Sequence, residues 1–462
     1  MFPKNKIIGK FNFDMVQKPS LPKGTRDFGP EAVAKRNFIF DKIKACFQSH
    51  GYLPIETPVM ESLSTLTGKY GEEGDRLLFK VLNNGDYLAD VNQEDLTQKN
   101  SNKVISQISK RGLRYDLTVP FARFVAMNRN EINFPFKRFQ IQQVWRADRP
   151  QKGRYQEFYQ CDADIVGSDS LMYEAELIEI YDSVFTALNL PVEIMVNNRK
   201  VLEGIAETIG AQNLFIEMTV AIDKLDKIGW QGVGAELLTK GFNHDQIEKL
   251  TKILDITKLA DLEPWLVESE IGLLGIEELK TLHLYLDKIS LDQDVKLDLK
   301  LARGLNYYTG CILEVKAKTA AMGSLGGGGR YANLTEVFGL SGVSGVGISF
   351  GAERIYDVME ELNLFPPNVL AQPQLLIITD DDCVLDGFET AYKLRKAGIA
   401  VDLYPSPAKF KKQMKYADDR KFAFVLIIGI QEKEQQKYAL KNMVTGEQIA
   451  ISWDELIVKF SK

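Results

Sequence analysis

Histidine is scarce. The chain of 462 residues holds three, His50, His244 and His283, and no two of them stand at ligand spacing. This argues against a histidine-rich metal centre and against a His-based triad, so proton chemistry falls to other groups. Cysteine is equally sparse: Cys46, Cys161, Cys311 and Cys383 are scattered without a C-x-x-C pair. Neither a disulfide framework nor a cysteine zinc site is expected. The longest apolar run, Phe422–Ile430, falls well short of the roughly 20 residues a spanning helix needs. The N-terminus carries Lys4, Lys6 and Lys10 but no continuous apolar core, so it does not read as a secretory signal and a cytoplasmic protein is expected. Positive charge is not in excess either. A net charge of -6 counts mildly against nucleic-acid binding and leaves local basic patches to carry any such contact. The glycine-rich stretches lack the G-x-x-x-x-G-K-[ST] pattern, which excludes a P-loop.

What is present is a long chain of ordinary globular composition, 45% apolar and 26% charged, too long for one core. Its most informative stretch runs from Lys137 to Gly167. Arg138–Asp148 and Glu157–Val166 read as strands of an antiparallel hairpin, with a charged tip broken by Pro150 and Gly153. Alternation sends Phe139, Ile141 and Trp145, with Tyr159, Cys161, Ala163 and Ile165, to one face. Arg138, Gln140, Gln142, Arg146 and Asp148, with Gln160, Asp162 and Asp164, go to the other. A polar face is ordinarily a solvated one. This one mixes Arg with amides and carboxylates, and the tip adds Arg149, Lys152 and Arg154, which suits a phosphate ligand.

Before the hairpin, Glu31–Ser49 has helical spacing and closes at His50-Gly51, where His50 reads as a cap. Tyr52–Met60 reads as an edge strand. Arg76–Leu82 and Asp86–Ala89 read as a hairpin around Asn84-Gly85. Asp90–Lys110 is polar and reads as a solvated insertion. In Leu113–Arg123, alternation puts Arg114, Asp116 and Thr118 on one face. Beyond the hairpin come a helix over Leu171–Leu188, a strand over Val192–Val196 and a helical, polar-faced block to about Gln293. In that block Ile222, Leu225, Ile228, Val233, Leu237 and Leu238 mark the apolar spacing. Strands resume over Leu297–Val315 and Ser324–Val346, and a helix follows over Gly351–Leu362. Prolines at 366, 367 and 373 mark a linker. Beyond it, alternating strands and helices read as a small α/β domain with a largely parallel sheet.

Four stretches stand in order: WRADRPQKGRYQEFYQCDADI, RGLNYYTG, GGGGRY and GVGISFGAERI. Together they resemble the class II aminoacyl-tRNA synthetases, and specifically the histidyl-tRNA synthetase family, from about Pro22 to the C-terminus. The resemblance implies an α+β catalytic domain, a mainly antiparallel sheet flanked by helices, with a helical insertion and a C-terminal α/β anticodon-binding domain. The implied bounds are an extension at 1–20, catalytic core at 21–197 and 296–366, insertion at 198–295 and anticodon domain at 373–462. It implies ATP-dependent attachment of L-histidine to tRNA(His) through histidyl-adenylate, with Mg2+ bound with ATP. It also implies a homodimer built on the first helix and strand. The non-catalytic alternative is a histidine-sensing regulatory paralogue.

Carried residue by residue, the resemblance makes Arg146 and Arg303 the catalytic arginines at the α-phosphate. It gives ATP also to Asp148 and Arg354, and histidine to Asp116, Thr118, Gln160, Asp164, Tyr307, Tyr308 and Tyr331. Gln151 and Arg154 are candidates for the acceptor end of the tRNA. No side chain is implied as a metal ligand. Three departures stand out: Asp148 where many members have Glu, Asp116 where many bacterial members have Glu, and Asn306 where Asp is common.

Overall fold

The computed structural model describes residues 18–67, 75–302, 307–320, 322–332, 335–370, 373–405 and 408–461. It divides into two compact units, Met1–Pro367 and Asn368–Lys462. No helix among the described residues is long and apolar enough to cross a membrane.

The first unit is built on an eight-stranded sheet. Its strands lie in the order Leu53–Pro54, Phe136–Trp145, Glu157–Val166, Gly345–Gly351, Gly326–Tyr331, Cys311–Ala317, Val192–Asn198 and Asp294–Leu297. Pairing is parallel at the two ends and antiparallel everywhere between. Alternation decides which side each residue faces. On one side Phe47, from the helix Pro30–Ser49, packs its ring 5.6 Å from Phe139 and 5.9 Å from Phe350. Tyr181, from the helix Met172–Ala187, meets Phe350 edge-on at 4.8 Å. Gly326 is small because this layer is tight: a Cβ there would sit 2.8 Å from the Tyr181 ring. The opposite side of the sheet carries the polar residues.

Pro30 opens the first helix at the position where proline costs no hydrogen bond. His50 caps its end, with Nδ1 2.8 Å from the Cys46 carbonyl. Three local expectations change. The strand expected over Tyr52–Met60 survives only as Leu53–Pro54 and Met60–Ser62, because its prolines cannot extend a ladder. The hairpin around Asn84-Gly85 does not form. Lys80–Val81 pairs instead with Arg111–Leu113, and two short helices, Gln93–Thr97 and Ser101–Ile108, fill the interval. Asn92 and Asn100 cap those helices, so the polar insertion is ordered by its own side chains. Finally, Leu113–Arg123 is not one alternating strand: a short strand stops at Leu113 and a helix begins at Thr118.

The helical block leaves and re-enters the sheet between Val192–Asn198 and Asp294–Leu297. Its helices Arg199–Thr208 and Glu270–Leu286 meet through glycines; a Cβ on Gly204 would lie 2.4 Å from the Gly272 Cα. Val233 and Leu237 are buried as their spacing implies, whereas Ile228 and Leu238 are exposed. Gly229, at φ 63°, breaks the periodicity between them.

In the second unit, Val401–Leu403, Leu375–Thr379 and Phe424–Ile428 pair in parallel, and Tyr438–Asn442 and Gln448–Ile451 add antiparallel strands. The sheet is therefore mixed rather than largely parallel. The two inner parallel strands are buried throughout or nearly so, as strands covered on both faces must be, whereas the edge strand Val401–Leu403 is buried only at Val401.

Arg330, next to the last glycine of its strand, holds Glu174 of the helix Met172–Ala187 through two bonds of 2.7 and 2.6 Å. It also donates to the Ser168 carbonyl at 2.6 Å. Glu174 is fully buried. Glu174→Ala strands the guanidinium and is expected to destabilise the unit by about 3–5 kcal/mol. Urea unfolding followed by tryptophan fluorescence checks this; an unchanged midpoint would contradict it.

Candidate active site

The polar side of the sheet is not solvated. It floors a cavity of about 620 Å³. Strand register arranges the floor in rows across neighbouring strands. Gln142, Gln160 and Gly351 form one row. Gln140, Asp162, Ser349, Gly327 and Glu314 form the next. Arg138, Asp164, Gly347 and Gly329 form the third. Side chains rise from the hairpin side, and glycines on the facing strands leave room for them. A Cβ on Gly347 would lie 2.0 Å from Asp164 Oδ1.

The third row is a buried charge cluster. Asp164 Oδ1 accepts the Tyr331 hydroxyl at 2.7 Å, and Oδ2 lies 2.6 Å from Arg138 Nη2. That second contact pairs charges without the alignment of a hydrogen bond. Arg138 is itself fully buried, with its guanidinium 4.2 Å from the Phe121 ring centroid. Burial pushes Asp164 above the ordinary carboxylate range while Arg138 and Tyr331 pull it back. Tyr307 and Tyr308 pack with ring centroids 4.3 Å apart, and burial raises both phenols.

At the first row, Arg146 stands just past the end of its strand. Its Nε donates to the Tyr115 carbonyl at 2.8 Å and Nη2 to Gln160 Oε1 at 3.3 Å. Gln160 Nε2 donates onward to Ser349 Oγ at 3.1 Å. Asp116 Oδ1 accepts the Val119 N–H at 3.2 Å where the helix Thr118–Met127 begins, and Thr118 lines the cavity beside it. Arg114, expected on the same face, turns away instead: buried, it donates to the carbonyls of Thr57 and Gln143.

The mouth belongs to the hairpin tip and to the helix Ala352–Glu361. Arg354, in that helix's first turn, donates from Nε to the Gly153 carbonyl at 2.9 Å and from Nη1 to the Ser324 carbonyl at 2.7 Å. Gln151 and Arg154 exchange backbone hydrogen bonds, which closes the tip into a tight turn. Arg154 lines the cavity and Gln151 does not. Asp148 lines it too, 4.0 Å from Arg154. Under the tip, Glu353 takes Arg26 at 2.6 Å and Arg36 at 2.5 Å. Arg26 lies 3.3 Å from the Tyr155 ring centroid, and the Tyr155 hydroxyl donates to Asp357 at 2.9 Å.

Of the residues expected from sequence, Asp116, Thr118, Arg146, Asp148, Arg154, Gln160, Asp164, Tyr307, Tyr308, Tyr331 and Arg354 come together around the cavity. Arg303 and Asn306 lie outside the described residues. Sequence reasoning passed over Asp162, Ser349 and Glu314 as site residues. Asp162 carried a signal, since alternation already placed it between Gln160 and Asp164. Glu314 carried none, because one acid in a strand reads as a solvated side chain. Among the described residues no three of His, Cys, Asp and Glu are grouped to hold a metal ion.

A mainly antiparallel sheet flooring an arginine-edged cavity, on a chain with a separate small α/β unit, defines a class II aminoacyl-tRNA synthetase type of architecture. The histidyl-tRNA synthetase family model matches residues 85–355, and the anticodon binding domain model matches 375–462. The histidine--tRNA ligase of Porphyromonas gingivalis is 55% identical over 442 residues, covering 94% of this chain and 97% of that protein. That of Phocaeicola vulgatus is 52% identical, covering 96% and 99%. The crystal structure of histidyl-tRNA synthetase from a Nostoc species superposes with a TM-score of 0.78 at 30% identity, over 96% of this chain and 98% of that one. The chain belongs to the histidyl-tRNA synthetase family.

Arg354 ties the hairpin tip to the helix behind it. Arg354→Ala is expected to speed amide hydrogen exchange across 151–156 by about tenfold, in proportion to the loss of a charged hydrogen bond. Exchange unchanged from wild type would show that the tip is held elsewhere.

Proposed function

We propose that this chain is a histidine--tRNA ligase, joining L-histidine to tRNA(His) with ATP through a histidyl-adenylate. The observation that carries the reading is the cavity floor, where buried carboxylates and tyrosines stand at one end and arginines at the other. In the first step an oxygen of the histidine carboxylate attacks the α-phosphorus, the bond to the β-phosphate bridge breaks, and pyrophosphate leaves. This step demands alignment and charge neutralisation more than covalent help. Arg146 suits it, because its fork can hold the α-phosphate and the attacking carboxylate together. The resemblance puts Arg303 by that phosphate as well. Arg354 offers its plane to adenine and its donors to the γ-phosphate. Asp148 keeps a carboxylate at the adenine end. Mg2+ bound with ATP would supply further neutralisation of the phosphates. In the second step the terminal ribose hydroxyl attacks the acyl carbon and AMP departs.

Histidine is read at the other end. Asp164 still has acceptor capacity beyond Tyr331 and Arg138, since each carboxylate oxygen carries two lone-pair directions. It accepts one ring N–H while the Tyr308 hydroxyl serves the second ring nitrogen; Tyr307 and Tyr331 wall the ring. Asp116, Thr118 and Gln160 serve the ammonium end. A wrong side chain would leave these buried groups unpaired, which gives large discrimination.

Outside the cavity, residues 198–295 approach the acceptor arm, and Gln151 and Arg154 its terminus. Residues 373–462 bind the anticodon, where Lys409, Lys411 and Lys412 are exposed and Lys415 is held by Asp419 at 2.8 Å. The working form is a cytoplasmic homodimer; exposure of Leu53, Val59 and Met60 on the segment after the first helix supports an interface there. A histidine-sensing subunit without activity is disfavoured by the retained Arg146 and Arg354 and by the ligase names of relatives at 50–55% identity.

ATP–pyrophosphate exchange run with each standard amino acid, without tRNA, tests the reading. Exchange with histidine alone is expected. Histidine binding without exchange would move the assignment to the sensor. Arg146→Ala is expected to lower histidine-dependent exchange by about a hundredfold, the scale for losing a charged contact to the transition state. Removing residues 373–462 should spare exchange and weaken aminoacylation; loss of both in a folded core would refute the division of labour.

A further inference from the structure

We infer that Asp162 is a second counter-charge of the amino-acid pocket, accepting the substrate's α-ammonium group together with Asp116. This rests on the histidine reading above and adds a residue to it.

Asp162 lies in the middle row of the floor, between Gln160 and Asp164 on its own strand. It is 2% exposed and lines the cavity. Its carboxylate is half engaged. The Ser349 side chain hydrogen-bonds it, while Oδ1 is buried without a partner among the described residues. Ser349 Oγ already accepts from Gln160 Nε2, so its own proton goes to Asp162. That chain sets the amide of Gln160 with Oε1 toward Arg146. A buried carboxylate oxygen left without a donor is costly, which implies a ligand donor for it.

Position on the floor selects which donor. In an α-amino acid the ammonium hangs from the carbon that separates carboxylate from side chain. Arg146 marks the carboxylate end of the floor, with Gln160 next to it on the ammonium side, and Asp164 with Tyr331 marks the ring end. The middle row between them is Asp162. Asp116, Asp162 and Tyr307 all line the cavity, and Asp116 acts electrostatically on the other two.

The charges around Asp162 make it responsive. Arg138 on the neighbouring strand holds the carboxylate down, and Arg114 lies beyond it; Asp164 and Asp116 push it up. The Tyr307 phenol lines the cavity with it, whereas the Tyr181 phenol and the Cys161 thiol act on it from the packed side of the sheet; all three stay protonated. Burial is the largest influence and raises Asp162 to about 7 in the empty pocket. Arrival of a cation favours the ionised form and lowers that value. Binding therefore releases a proton when the pH lies below about 7 and above the bound-state value. Above about 7 the carboxylate is already ionised and nothing is released.

Calorimetry on the full chain tests this with three probes: L-histidine, L-histidinol, and 3-(imidazol-4-yl)propanoate, which lacks the ammonium. Each is titrated near pH 6.5 in two buffers of different ionisation enthalpy. Asp162→Asn is expected to weaken histidine and histidinol by about tenfold or more and the desamino acid by no more than about threefold. It should also remove the protein's share of the proton release. Equal weakening of all three ligands, or unchanged histidine affinity with proton release intact, overturns the inference while leaving the histidine reading in place. Failure of the wild type to bind histidine overturns both. Should Asp162→Asn not fold, Ser349→Ala decides. Without its hydroxyl donor the Asp162 value rises, so proton release on histidinol binding must grow; release equal to wild type overturns the inference.

Discussion

Much of the catalytic unit depends on how charge is buried on one side of its sheet. Arg138 sits fully enclosed with Asp164 against it and Asp162 in the next row. A single buried guanidinium cannot neutralise two carboxylates, and isolated charges are expensive to hold away from water. The cluster is tolerable because Tyr331 and Ser349 donate to it, and because, on the proposal above, a ligand's ammonium group completes it. Stability and recognition thus draw on the same atoms. The features that make the empty floor costly are the features that make a charged amino acid fit.

The sheet's other side makes this possible. Phe47, Phe139, Tyr181 and Phe350 lock the helices to the strands in a close-packed layer. Burial of that much aromatic surface, about 1.5–3 kcal/mol per ring, helps offset the cost of one imperfectly paired carboxylate. The glycine run serves both faces. Gly326 yields space to Tyr181 on the packed side, while Gly327 and Gly329 face the cavity between Ser349, Gly347 and the strand beyond. A run of side chains there would fill the pocket and jam the core together.

Period-two alternation made the hairpin and its two faces legible, and nearly every expected pocket residue is found around the cavity. What alternation cannot say is whether a polar face meets water or a cavity; that depends on distant strands supplying glycines opposite it. The chain bends at Asn84-Gly85, with Gly85 at φ 77°, yet no hairpin follows. The partner of Lys80–Val81 comes from Arg111–Leu113, beyond two Asn-capped helices. Tertiary pairing overrode local turn chemistry there. Asp116 and Thr118 reach the pocket for a reason other than the alternation that singled them out: they sit at a helix start, and Arg114 turns away to bind carbonyls.

The mouth obeys a different logic from the floor. Arg354 satisfies two backbone carbonyls, of Gly153 and Ser324, and phosphate oxygens are stronger acceptors than either. A nucleotide that takes the Nε donor of this guanidinium releases the hairpin tip from it. The tip would not then be cut loose, because its other tethers do not use Arg354. Tyr155 is stacked on Arg26 and bonded to Asp357, and Arg26 is anchored on Glu353. Tyr155 and Glu353 line the cavity too but carry no positive charge for phosphate to recruit, and Arg26 is already held by Glu353. The fold therefore separates two tasks within adjacent residues: Glu353 holds the base of the tip in place, and Arg354 is left able to exchange one oxygen partner for another.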